Sequence, residues 1–117
     1  MHELSIVASL FEVLEERAYE HRPCKITAVK VRVGRLSGVV PELLQSAFEV
    51  YKKGSLADGA SLAIEVVPFE FRCRSCGGKS FRDEPPYICS TCSSADVELL
   101  GGMDITLEKI EVETGAP

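Results

Sequence analysis

Two short cysteine motifs constrain this chain more than anything else in it. CRSC (Cys73, Cys76) and CSTC (Cys89, Cys92) are separated by twelve residues, in a stretch with glycines, prolines and little hydrophobic periodicity. Such a stretch is too small to build a core that holds without a staple. A CxxC on a tight turn points both sulfurs to one side, and Gly77, Gly78 and Ser93 favour tight turns here. Two knuckles face to face present four thiolates tetrahedrally, a set that suits Zn²⁺ with Zn–S near ~2.3 Å. With sulfur in every position the site is closed, so it is structural and not catalytic. The intervening loop is shorter than the ~15–20 residues of the commoner pattern, yet long enough for a hairpin and return. A reducing cytoplasm disfavours disulfides. A thioredoxin-like CxxC would occur once, at a strand–helix junction. Iron held as in rubredoxin uses the same four thiolates and stays open beside zinc. Phe81, Tyr87 and Ile88 are expected to pack around the metal, and Cys24, the fifth cysteine, reads as a half-buried thiol without a ligand role.

The flanks are patterned. Leu4, Val7, Leu10, Phe11, Leu14 and Ala18 recur at spacings of three and four, one apolar helix face. Pro23 stops that helix, which should end near Glu20 or His21. KITAVKVRVG alternates, with Thr27, Val29, Val31 and Val33 on one face of a strand. Pro41 opens a second helix with a stripe of Leu44, Ala47, Phe48 and Tyr51. Lys52 and Lys53 suit its negative end, and Gly54 suits a cap. SLAIEVVPFEF reads as one further strand, with Leu62, Ile64 and Val66 sharing a face. The last strand, MDITLEKIEVE, changes parity between Ile105/Leu107 and Ile110/Val112. That predicts either a β-bulge near Glu108 and Lys109 or burial on both faces. Residues 114–117 read as a frayed tail.

The expected fold is therefore α+β. A small three-stranded sheet (25–34, 61–71, 103–113) carries two helices on one face, and a zinc-ribbon-like four-cysteine module is inserted before the last strand. The domain division that follows is 1–70 and 103–117 for the α/β part, and 71–102 for the zinc-binding part.

Charge narrows the partners. The formal net charge is −5. Nucleic-acid binding would need a local basic patch, and the candidates are Arg72, Arg74, Lys79 and Arg82, with Lys30, Arg32 and Arg35 nearby in type. Acidic neighbours Asp83 and Glu84 make this a solvated surface. No apolar run reaches the roughly 18 residues of a membrane span, and no signal-peptide pattern is visible. The expectation is a cytoplasmic protein that binds neither nucleic acid nor membrane.

The N-terminus adds a chemical possibility. The α-amine of Met1, the His2 amide nitrogen and the His2 imidazole can close two chelate rings on one ion. Such tetragonal nitrogen sets suit Ni(II) or Cu(II). Taken alone, His2 is an ordinary solvated residue, Glu3 an acid favoured in a first helical turn, and His21 a partner for the helix C-terminus.

Taken together, MHELSI, the small helix-and-sheet arrangement and CRSC-x12-CSTC before a final strand resemble the HypA/HybF family of hydrogenase nickel-incorporation proteins. The resemblance spans nearly the whole chain. It implies a nickel metallochaperone serving [NiFe] hydrogenase, with His2 and the Met1 amine binding Ni(II), Glu3 in the same site, and Cys73, Cys76, Cys89 and Cys92 holding zinc. It also implies a HypB-type GTPase and the hydrogenase large subunit as partners, admits a urease role, and leaves monomer or homodimer open. Some members carry a histidine beside a CxxC; here no histidine follows His21. The competing reading is a zinc-ribbon adaptor for protein–protein contacts with no nickel role. An enzyme is not expected, because no phosphate loop or nucleophile–base set is present and two histidines cannot build most histidine-based sites.

Overall fold

The computed structural model describes residues 3–21 and 24–114. Met1, His2, Arg22, Pro23 and residues 115–117 lie outside the described residues. Helix α1 (Glu3–Tyr19) is followed by β1 (Cys24–Gly34), α2 (Pro41–Tyr51), β2 (Ser61–Val67), β3 (Phe69–Cys73), β4 (Lys79–Arg82), β5 (Val97–Gly101) and β6 (Ile105–Thr114).

The strands form two separate three-stranded sheets, ordered β2-β1-β6 and β4-β3-β5. β1 lies at the centre of the first, parallel to β2 and antiparallel to β6. The parallel pair needs a crossover, and α2 supplies it. Val7, Phe11, Leu14 and Ala18 of α1 and Leu44 and Phe48 of α2 are buried together with Ile26, Val29, Val31 and Val33 of β1. Phe11 joins the helices, its ring 5.5 Å from Phe48 and 5.2 Å from Tyr51. The predicted α1 stripe is narrower than its periodicity suggests: Leu4 is 55% exposed, and Leu10 only packs against the edge of the core.

Bulges decide which strand residues face inward. Lys30 and Val31 pair with Lys109 and Leu107, so Glu108 is an extra residue on β6. The parity change is thus a bulge, and it brings Leu107 and Ile110 to the same face. A second irregularity falls on β1, where Ile26 and Ala28 pair with Val112 and Glu111. Thr27 is the extra residue there and is exposed; Ile26, not Thr27, joins Val29 inside. Thr114 belongs to β6, opposite Cys24, and is not part of a frayed tail.

Residues 61–71 are not one strand. Pro68 has no N–H to give a ladder, and the chain leaves the first sheet there: β2 pairs with β1, β3 with β4 and β5. β1, β2 and β5 converge at this crossing, where Gly34 N–H donates to Asp104 O, Arg35 N–H to Val67 O and Leu36 N–H to Gly102 O, each at 2.8 Å. A Cβ at Gly34 would lie 2.3 Å from the Gly102 carbonyl, so only glycine fits. The molecule is elongated, 60 × 24 × 17 Å.

Beyond the crossing a second core forms around Phe69 and Phe71, both essentially fully buried, with Cys73, Cys89 and Ser80. Tyr87 meets Phe69 edge-on at 4.0 Å. Phe81, expected in this core, is 63% exposed. On the four-residue β4 its parity is opposite to that of buried Ser80. Among the described residues no helix is long and apolar enough to cross a membrane.

Candidate metal centre

β3 delivers Cys73 at its end, and the chain turns back at once. Cys73 N–H donates to Gly78 O and Gly77 N–H to Cys73 O, both at 2.9 Å. The second knuckle repeats this: Cys89 N–H donates to Ser94 O and Ser93 N–H to Cys89 O, again at 2.9 Å. The residue after each CxxC is left-handed, Gly77 at φ 77° and Ser93 at φ 62°. The two motifs are therefore one turn used twice.

Each turn aims amides at its first sulfur. Cys73 Sγ accepts from Ser75 N–H at 3.3 Å and Cys76 N–H at 3.4 Å. Cys89 Sγ accepts from Thr91 N–H at 3.4 Å and Cys92 N–H at 3.5 Å. The knuckles face each other with Cys73 Sγ 3.5 Å from Cys92 Sγ and Cys76 Sγ 3.6 Å from Cys89 Sγ. All four sulfurs lie within 4.8 Å of one another. A tetrahedron with arms of ~2.3 Å has edges of about 3.8 Å, so the cluster is the right size for a four-coordinate ion. Cys73 and Cys89 are buried, Cys76 and Cys92 exposed.

The turn geometry also sets the thiols apart. The amides of Cys92 and Thr91 pull Cys89 down to about 6, against the effect of burial. The Cys76 amide likewise lowers Cys73. For Cys92 the Ser94 amide favours the thiolate, but Cys73, desolvation, Cys89 and Cys76 outweigh it and push the thiol up to about 12. Cys76 is raised too: the amide of Gly78 is overcome by Cys89, desolvation and Cys73. The buried first cysteine of each knuckle is the more acidic, and the thiolate is the form that binds metal.

Contacts around the sulfurs hold the knuckles together. Ser75 Oγ lies 3.2 Å from Ser94 Oγ, and Arg74 Nη1 reaches Asp96 Oδ1 at 3.0 Å. Buried Ser80 accepts the Ser90 N–H at 3.2 Å and meets Ser90 Oγ at 2.9 Å, tying β4 to the second knuckle. Cys24 is far along the chain from this cluster and fully in the other core; its Sγ donates to Ala18 O at 3.4 Å.

Of the three N-terminal site residues, Met1 and His2 lie outside the described residues. Glu3 is described, and it does something the sequence reading did not assign. Its Oε2 accepts the Val40 N–H at 3.2 Å. Val40 is the N-cap of α2 and has no side-chain cap. In a capping box the residue at N3 reaches back to the N-cap amide; here N3 is Leu43, and Glu3 reaches across from α1 instead. The signal was present in VVPELL, a helix start with no capping side chain, but its partner lies 37 residues away.

The cations are largely matched with acids. Lys30 and Arg32 reach Glu65 and Glu108, Arg35 reaches Asp83, Arg74 reaches Asp96 and Lys79 reaches Glu70, all within 3.9 Å. They are exposed pairs of small energetic weight; Arg72 and Arg82 of the basic group make no such pair among the described residues.

Comparison with known proteins gives a consistent picture. Residues 1–112 match the family model described as "Hydrogenase/urease nickel incorporation, metallochaperone, hypA". Hydrogenase maturation factor HypA of Wolinella succinogenes is 42% identical over 114 residues, covering 97% of this chain and 96% of the relative. That of Aquifex aeolicus is 38% identical over 113 residues, covering 97% and 98%. The solution structure of the Ni metallochaperone HypA from Helicobacter pylori superimposes with a TM-score of 0.68 at 32% identity, covering 97% of this chain and 99% of that one.

Proposed function

This chain belongs to the HypA family of nickel-incorporation metallochaperones, and on that premise we propose that it binds Ni(II) at its own N-terminus and hands it to the [NiFe] hydrogenase large subunit. The family match over residues 1–112, which takes in the opening MHE, carries this reading. The ligands are the Met1 amine and the His2 amide and imidazole, with Glu3 completing the site. The bond from Glu3 to Val40 supports it, because it holds the residue next to the chelate against the start of α2. Glu3 held this way gives the chelate a fixed neighbour from which a receiving protein can take the ion. An open fourth position lets an incoming thiolate or imidazole bind before the terminus lets go.

In the same reading Cys73, Cys76, Cys89 and Cys92 hold a structural zinc. The soft, closed donor set and the sulfur spacing fit that ion. The ion cross-links the two knuckles; the surrounding turns and serines orient the sulfurs. We divide the chain into two units, 1–67 with 103–117 for nickel and 69–102 for zinc, because β3 pairs with β4 and β5 and its Phe69 is buried in their core. It is a cytoplasmic carrier, not an enzyme, and acts with a HypB-type GTPase and the hydrogenase large subunit, without nucleic acid or membrane.

The test is nickel titration of the intact protein beside His2→Ala. Loss of tight binding in the variant is expected. Equal affinity would remove the proposed ligand and leave a zinc-ribbon adaptor. Acetylating Met1, or adding residues before it, should also weaken nickel binding with His2 retained, because it removes the amine from the chelate.

A further inference from the structure

β6 is a ten-residue edge strand. It pairs with β1 on one side, and among the described residues no strand pairs with the other. α1 does not close over it. A groove of about 390 Å³ runs between Ile6, Leu10 and Val13 of α1 and Ile105 and Leu107 of β6. A second depression continues it, between the end of α1 and Ile110 and Val112. All four of these β6 side chains remain only partly buried. An open edge beside an apolar trough is a feature that soluble proteins ordinarily cover.

The strand carries its own complement. About the midpoint between Glu108 and Lys109, Leu107 mirrors Ile110, Ile105 mirrors Val112, and Glu108 mirrors Lys109. Antiparallel pairing of two copies about that point sets each apolar residue opposite an apolar one, and each Glu108 opposite a Lys109. The bulge makes this work. Without it, Leu107 and Ile110 would point to opposite faces. With Glu108 as the extra residue, both face the core side, opposite Val31 and Val29. Glu108 and Lys109 then lie on the other face, where Glu108 meets Lys30 at 3.6 Å. One two-fold axis satisfies the apolar and the charged contacts at once, as an isologous interface requires.

We propose that β6 is a self-association edge, and that its occupant is β6 of a second copy of this chain. The pair makes one six-stranded sheet, β2-β1-β6-β6-β1-β2. An axis perpendicular to the sheet keeps both α1 helices on one face, so that Ile6, Leu10 and Val13 of each copy close the other's groove. The proposal does not rest on the nickel reading.

Sedimentation equilibrium of the full chain, metal-loaded, tests it with two charge reversals. Glu108→Lys alone, or Lys109→Glu alone, sets like charges opposite at both symmetric contacts and should weaken self-association about tenfold or more. An equimolar mixture of the two variants restores opposite charges at both contacts, so a one-to-one heterodimer should form where neither variant dimerises alone. That recovery also shows that both variants are folded. A wild-type chain that stays monomeric at millimolar concentration overturns the proposal. So does either variant associating as strongly as wild type, or a mixture that gains nothing over its components.

Discussion

Ser93 and Gly77 occupy the same backbone position in the two knuckles, yet only glycine takes it without cost. A left-handed conformation costs an L-residue about 1–2 kcal/mol, and Ser93 sits at φ 62°. Ser93→Gly relieves that strain but frees the unfolded chain by about 0.4–1 kcal/mol, so a net gain of up to about 1.6 kcal/mol in module stability is expected. Gly77→Ala runs the other way. The added Cβ meets nothing within 4 Å, so its cost is the backbone strain less the same unfolded-state gain, up to about 1.6 kcal/mol. Zinc loss to a competing chelator reads both; movement in the same direction would show that backbone conformation does not shape these turns. Glu3 offers a second residue-level distinction. Glu3→Ala should cost about 1 kcal/mol, as loss of a helix cap does, whereas Glu3→Gln keeps an acceptor for the Val40 amide. If nickel affinity falls only in Glu3→Ala, the side chain acts as an anchor. If it falls in Glu3→Gln with the melting temperature kept, the carboxylate is a ligand.

At the level of elements, the cores divide at the Gly34–Gly102 crossing. The larger core contains no residue between 63 and 104 among its fully buried members, while Phe69, Phe71, Cys73 and Cys89 are buried in the other. The smaller has too little apolar surface to stand alone, and structural zinc supplies roughly 10–16 kcal/mol in small metal-dependent folds. Cys73→Ser, or chelation, should therefore remove amide-exchange protection from β3, β4 and β5 while β1, β2 and the helices keep theirs. Loss of protection in α1 as well would mean that the two parts fold as one. Much of this arrangement was legible from pattern. The knuckles follow from CRSC and CSTC, and the β6 bulge from the parity of Leu107 and Ile110. What failed was local periodicity where tertiary pairing overrides it. Thr27 has the same parity as Val29, so the extra residue on β1 left no trace in the alternation. In 61–71 the apolar parity changes at Pro68, from Leu62, Ile64 and Val66 to Phe69 and Phe71; that signal was present, but alternation alone does not say that the hydrogen-bonding partner changes there. Glu3 and Val40 meet only because two helices pack side by side, which no local pattern encodes.

In the whole molecule, two kinds of metal site should respond differently to acid. Nickel bound at the terminus as proposed would have to displace protons from an imidazole, ordinarily near ~6.5, and an amine, ordinarily near ~7.7–8.0. Its affinity should fall steeply as pH drops from 8 to 6, by up to about tenfold per unit for each proton displaced. The thiolate cluster starts from a different state. The Cys89 thiol is lowered from 9.0 to about 6, so its ionisation favours the folded metal-free module fully above pH 9. That contribution is lost as pH falls through 6. Cys92, raised to about 12, contributes in the opposite sense: below pH 9, and lost as pH climbs through 12. At pH 7 Cys89 is already mostly ionised, so zinc uptake by the metal-free protein should release fewer than four protons per ion, countable with an indicator dye. Four protons released would place Cys89 among ordinary thiols. Titrating the doubly loaded protein from pH 8 to 6 should then strip nickel while zinc stays, because one sulfur is ready as a thiolate and the closed set of four must open before the ion leaves. Such a difference would let the protein release its cargo without unfolding the module beside it. Nickel affinity that is flat across this range would show that neither the amine nor the imidazole binds the ion.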